Sequence, residues 1–220
     1  MDDADAIYVT EPAKGRIAVY DSRGKFKRYL GDRDGEGLFA HPASIAIDRV
    51  GRHIYVADSL SHLIFKLDMD GNVVARFGNR RGGRGPGQFR SPTAIAVNHQ
   101  ELVVLDLGNS RLQVLDLAGH YLREFALPVR FPSEWADATV ALDDQGHIFM
   151  SNPAVGTVQL LDRNGALIHS FWGKGGQPES FGMPTGVWVD AQRHLYVVDT
   201  RRHRVQVFRV RETRADTIPR

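Results

Sequence analysis

The sequence contains no cysteine, which removes a disulfide framework, a thiolate metal site, a c-type haem attachment and a cysteine nucleophile together. No apolar run approaches the roughly 18 residues that a membrane span needs, so membrane insertion is not expected. The opening Met-Asp-Asp-Ala-Asp-Ala has neither a basic segment nor an apolar stretch behind it. No signal peptide is therefore read in this chain, and the compartment stays unassigned, with export of a longer parent left open. Charge of one sign is lacking too: 28 Lys and Arg stand against 26 Asp and Glu, a net +2, so the polycationic character of a non-specific nucleic-acid binder is missing. There is no Gly-x-Ser-x-Gly elbow, His-Glu-x-x-His pair or EF-hand loop. The glycine-rich stretch from Gly82 to Gly87 lacks the Lys-Ser/Thr and the following helix that a phosphate loop requires. What remains, 42% hydrophobic and 25% charged, is the composition of an ordinary soluble globular protein.

What is abundant is self-similarity. A short apolar run ending in an acid or its amide recurs at Ile7 to Glu11, Ile54 to Asp58, Leu102 to Asp106, Ile148 to Asn152 and Leu195 to Asp199, at steps of 47, 48, 46 and 47 residues. A second run keeps the same step: Ile17 to Tyr20, Ile64 to Leu67, Leu112 to Leu115, Val158 to Leu161 and Val205 to Phe208. Asp21, Asp68, Asp116 and Asp162 follow four of these runs, and Gly24, Gly71, Gly119 and Gly165 mark the turn beyond. Each copy holds short β-branched or aromatic runs separated by Gly, Asp, Asn or Pro, the pattern of strands joined by hairpins. In the second copy strand a is Ser44 to Ile47, b is Ile54 to Ala57, c is Ile64 to Leu67 and d is Val73 to Phe77.

Strands a and b are apolar on consecutive residues, as sheets packed on both faces require, whereas c and d are more polar. That gradient predicts an all-β β-propeller of four-stranded antiparallel blades, inner strands around a channel. Five repeats are visible over residues 1–210, one domain, followed by a polar tail at 211–220. The first copy lacks strand a and the last lacks strand d, so the tally is 18 strands. Asp2-Asp3-Ala4-Asp5-Ala6 reads like the turn that follows a strand a. A longer parent, with an upstream strand or blade, is the expectation, and open strand edges would invite self-association.

Pro-x-x-Ile-Ala-Ile-Asp, Ile-Tyr-Val-Ala-Asp, Arg-Val-Gln-Val-Phe and Phe-Gly with a Gly-rich stretch ending Gly-Gln-Phe together resemble NHL repeats, best at Pro92 to Val97, Leu195 to Asp199, Arg204 to Phe208 and Phe77 to Phe89. The likeness is nearest to bacterial NHL proteins described as six-bladed propellers. It implies a fold more sharply than a function, because NHL propellers include RNA-binding, partner-binding, sensor-domain and lyase members.

A residue that recurs at a repeat position is explained first by the repeat. His53, His147 and His194 precede strand b, and His62 and His203 share one b–c loop position, so a catalytic or metal site is not assigned to them and no cofactor is expected. Arg follows the strand-b acid by five residues in three copies, Glu11 with Arg16, Asp106 with Arg111 and Asp199 with Arg204, while Asn152 and Thr157 change together. A charge-assisted pair bracing the b–c loop is the expectation. Asp48, Asn98, Asp143 and Asp190 end the a strands, where turn capping is the simpler reading than a cation ring.

What exceeds the repeat is positive charge on one face. In antiparallel blades the b–c and d–a loops emerge on the same side, which would carry Arg80, Arg81, Arg84 and Arg90 in one long connector, Lys174 in another, and Arg201 and Arg202 in a b–c loop. The Gly content of the first connector predicts a loop free to conform to a partner. These residues point to a non-catalytic scaffold that binds a protein or other macromolecule, acidic or anionic in character. The alternatives are a lyase or hydrolase with its site at the channel mouth, and RNA recognition on the Arg-bearing face.

Overall fold

The computed structural model describes residues 5–33, 35–127, 138–172 and 180–210. The first sheet is β1 (Ile7–Glu11), β2 (Arg16–Tyr20) and β3 (Phe26–Leu30), followed by a two-stranded ribbon of β4 (Asp32–Arg33) and β5 (Glu36–Gly37). Three four-stranded sheets come next: β6 (Pro42–Asp48) to β9 (Val73–Gly78) through β7 (His53–Asp58) and β8 (Leu63–Asp68); β10 (Pro92–Val97), β11 (Glu101–Asp106), β12 (Arg111–Asp116) and β13 (Tyr121–Ala126); then β14 (Val140–Leu142), β15 (Ile148–Asn152), β16 (Thr157–Leu161) and β17 (Leu167–Trp172). The last is β18 (Pro184–Val189), β19 (His194–Asp199) and β20 (Arg204–Arg209). Within each sheet the strands run in sequence order and every pairing is antiparallel. This is a propeller of five blades, the first without its strand a and the last without its strand d among the described residues; the tail 211–220 lies outside them.

The turns follow from the repeated residues. Asp68 Oδ1 accepts from the backbone N–H of Asp70 and Asn72, and Gly71 N–H closes on Asp68 C=O at 3.1 Å. The closing residue has a left-handed backbone, φ +79°, +92°, +94° and +82° at Gly24, Gly71, Gly119 and Gly165, where a side chain is disfavoured. The b–c turn is likewise closed by a left-handed residue: Gly15, His62, Ser110, Gly156 and His203.

Alternation decides how blades stack. Ile54 and Val56 pack with Ile17, Val19 and Leu30 of the first blade, while Tyr55 and Ala57 pack with Ile95, Leu102 and Val104 of the third. Both faces of a b strand are therefore dry, which is why it reads as an unbroken apolar run. The same alternation gives a third core around Val103, Leu105, Val140 and Ile148, and a fourth around Phe149, Val158, Leu195 and Val197. In the second to fourth blades the c–d turn presses on the last strand of the preceding blade: a Cβ on Gly119 would lie 2.2 Å from Phe77 and one on Gly165 2.3 Å from Phe125.

Candidate functional site

The d–a connectors and b–c loops share one face and bond to each other, Gly108 N–H to Arg90 C=O at 2.8 Å and Ser59 N–H to His41 C=O at 3.1 Å. Beneath that face lie the strand-b acids. Asp58 accepts from the N–H groups of Ala40 and His41, Asp106 from that of Arg90, and Asp199 from those of Gly182 and Met183. All three acids are fully buried. The acid thus ties its own blade to the connector that enters the blade, which accounts for Asp58 persisting opposite Leu63 without an Arg.

Where the Arg is present it faces the acid across the b–c hairpin. Arg16 Nε lies 2.7 Å from Glu11, Arg111 Nε 2.9 Å from Asp106, and Arg204 Nε 3.5 Å from Asp199. Arg16 also reaches Asp32 at 2.5 Å and covers the Tyr29 ring at 3.5 Å. Its hydrogen bonds hold the Glu11 and Asp32 carboxyls below their ordinary values. Arg111 does more than brace its hairpin: it donates to the backbone carbonyls of Arg84, Gly85 and Gln88 and to Glu124 at 2.6 Å. Gln113 spans Gln88 C=O and Gly87 N–H, Asn109 donates to Gly83 C=O, and His62 Nδ1 accepts from Ser91 N–H. Phe89 is fully buried at the connector's base.

The connector from Gly78 to Ser91 is therefore pinned, not free to conform. Its glycines let backbone carbonyls converge on one guanidinium, and buried donors supply the partners that a mobile loop would lack. Arg80, Arg81, Arg84 and Arg90 are all exposed on it, and none has an acidic partner among the described residues. Arg201 is exposed and Arg202 half-buried, the latter donating to Ser180 C=O. They stand on the fifth blade, not adjacent to the blades that the first connector joins. Lys174 lies outside the described residues. Sequence reasoning missed Asn109, Gln113 and Glu124 and read His62 only as a repeat position; the signal available was an amide recurring at Gln113, Gln159 and Gln206.

The opposite face is built of capped turns. Asp48, Asn98, Asp143 and Asp190 accept from backbone N–H groups within their own a–b turns. His147 and His194 sit 2.8 and 3.0 Å from the capping carboxylates. Burial raises the Asp190 carboxyl, but hydrogen bonds from His194 and Tyr196 outweigh it and leave it lowered. The channel between the a strands is a cavity of about 400 Å³ whose lining includes Ile45, Val97, Leu142 and Trp188 together with Tyr8 and Arg49. Among the described residues no three His, Asp or Glu converge as a metal site would need, and no helix is long and apolar enough to cross a membrane.

Residues 181–208 match the family model described as NHL repeat, and residues 1–77 match one described as a 6-bladed beta-propeller. Protein brain tumor of Drosophila melanogaster is 28% identical over 62% of this chain, and NHL repeat-containing protein 3 of Mus musculus is 30% identical over 50% of it. The matched chain spans 13% and 35% of those relatives. Among solved structures, virginiamycin B lyase from Staphylococcus aureus superposes with a TM-score of 0.61 at 15% identity, over 94% of this chain and 67% of that one, a likeness of fold alone.

Proposed function

Because the chain is an NHL-repeat β-propeller, we propose that it is a non-catalytic binding scaffold whose Arg-bearing loop face docks an acidic protein partner. The observation that carries this reading is the pinned connector. Four exposed guanidinium groups have no carboxylate partner among the described residues, on a backbone fixed from below by Arg111, Gln113, Asn109 and His62. An Arg presents a bidentate fork suited to carboxylates, and a rigid backbone lowers the ordering cost of binding. The macromolecular binders among NHL proteins support a scaffold role as a class. The channel lining mixes apolar side chains with Tyr8 and Arg49, and its Ser44 and Thr139 hydroxyls already accept from neighbouring backbone N–H groups.

The test is to change Arg80, Arg81 and Arg84 together to Ser and to measure binding of a poly-glutamate peptide and of single-stranded RNA by anisotropy at several salt concentrations. At about 0.5–1 kcal/mol per exposed contact, the triple variant is expected to lose about ten- to a hundredfold in peptide affinity. Peptide binding that ignores the triple change overturns the proposal. Stronger binding to RNA than to peptide, with a steep salt slope, transfers the face to nucleic acid.

A further inference from the structure

The b–c turn of the second blade departs from the repeat at one position. Two residues after the strand-b acid or amide the other blades carry Ala13, Gly108, Ala154 and Arg201, whereas this one carries Leu60. Leu60 is 65% exposed. Its turn lies between His41 and Ser91, both at the entry to complete described blades, so the exposure does not arise at an open end of the ring. The turn is also fastened on both flanks. Ser59 N–H donates to His41 C=O at 3.1 Å, Ser61 N–H to Asp58 Oδ1 at 3.2 Å, and Ser91 N–H to His62 Nδ1 at 3.1 Å. A large apolar side chain is thus held in water on a backbone with little freedom to withdraw it, and a ligand that covers it recovers the cost of that exposure.

Leu60 stands beside the basic connector. The His62 ring lies against Gly82, where a Cβ would come 3.2 Å from His62 Cδ2, and Gly82 directly follows Arg80 and Arg81 and precedes Arg84. On the connector's other side a Cβ on Gly108 would lie 2.7 Å from Arg90 Cγ, so the b–c turn of the third blade leaves room for the stem of that arginine at the very position where the second blade places leucine. The two turns that clamp the connector therefore differ in kind. One clears space for a cation, and the other presents an apolar knob.

Given the acidic-partner reading of this face, on which the inference rests, we propose that the partner segment is acidic and carries one large apolar residue that seats on Leu60. Its carboxylates pair with Arg80, Arg81 and Arg84, and its apolar side chain is dried against the leucine. Charge alone accepts any polyanion of suitable length; the apolar contact discriminates among them. The two parts also respond differently to salt, because screening weakens the ionic contacts and leaves the apolar one in place.

The probes are two labelled peptides that differ only at the central residue, Leu or Ser, with four Glu on either side, titrated against the whole chain by fluorescence anisotropy. The Leu peptide should bind about five- to thirtyfold more tightly than the Ser peptide, the effect of burying most of one Leu side chain. Raising the salt should weaken both and keep their ratio. Leu60→Ser should bring the ratio to about one, whereas Val155→Ser, at a residue 55% exposed in the b–c turn of the fourth blade, should leave it unchanged. Both variants alter exposed side chains, and the comparison of the two peptides on the unaltered chain depends on neither. Equal binding of the two peptides by the unaltered chain overturns the proposal and leaves the acidic-partner reading standing, as does a preference that survives Leu60→Ser. A chain with Arg80, Arg81 and Arg84 changed to Ser that binds both peptides undiminished overturns that reading and the proposal with it, and so does the absence of saturable binding by either peptide.

Discussion

Leu112 and Val205 hold the same place at the start of strand c in the third and fifth blades, yet Leu112 is at 0% exposure and Val205 at 58%. The third blade is clasped on both sides; the fifth has a described neighbour on one. Trp188, Val198, Val205 and Val207 line its open face, and all four are exposed. The repeat thus writes a two-sided interface into every copy, and burial is granted by the neighbour rather than by the residue. Glycines tell the same story from the other end. A Cβ on Gly71 or Gly119 would strike Leu30 or Phe77, while one on Gly24, in the blade with no described predecessor, meets nothing within 4 Å.

The largest difference should come from the buried acids. Asp106 accepts from Arg90 N–H, Asn109, Arg111 and Gln113, so Asp106→Ala strips the shared acceptor from four donors, Arg111 keeping Glu124, and should cost about 3–5 kcal/mol in urea unfolding. Asp199→Ala loses two backbone donors and a longer contact to a one-third-exposed Arg204, for about 1–3 kcal/mol. Equal losses would mean that the Arg111 network adds nothing. Next, Leu112→Ala should cost about 2–5 kcal/mol and Val205→Ala no more than about 0.5. A matching penalty at Val205 would show its face to be covered in solution.

Gly119→Ala and Gly24→Ala share the left-handed backbone penalty, so their difference isolates the collision with Phe77. Overpacking of that kind costs about 1–3 kcal/mol, visible as a larger drop in melting temperature for the Gly119 variant than for the Gly24 variant. The smallest effect concerns acid. Burial pushes the Glu101 carboxyl up, but Arg123 and Arg163, the latter from the fourth blade, outweigh it and leave it below its ordinary value. A group lowered on folding stabilises above its unfolded value and loses that contribution as pH falls through the lowered one. Stability should therefore decline as pH drops below about 4.5, and Glu101→Gln should flatten that decline. An unchanged acid limb would remove Glu101 from the ties between blades.

The period of the apolar runs determined the strand order, the tally of 18 strands in the described blades, the two incomplete ends and the shared face of the b–c and d–a loops, because each depends on local alternation and turn chemistry alone. The Asp-x-x-Gly turns and the acid–Arg spacing were equally legible, since both partners lie within a few residues on one hairpin. Only the tertiary structure decided that the glycine-rich connector is rigid. Its carbonyls meet Arg111 and Gln113 more than 20 residues further along the chain, and no local pattern carries such a convergence. The stacking likewise decided which apolar side chains are dry, for burial belongs to a pair of blades, and a repeat read one copy at a time cannot say which copies have a neighbour.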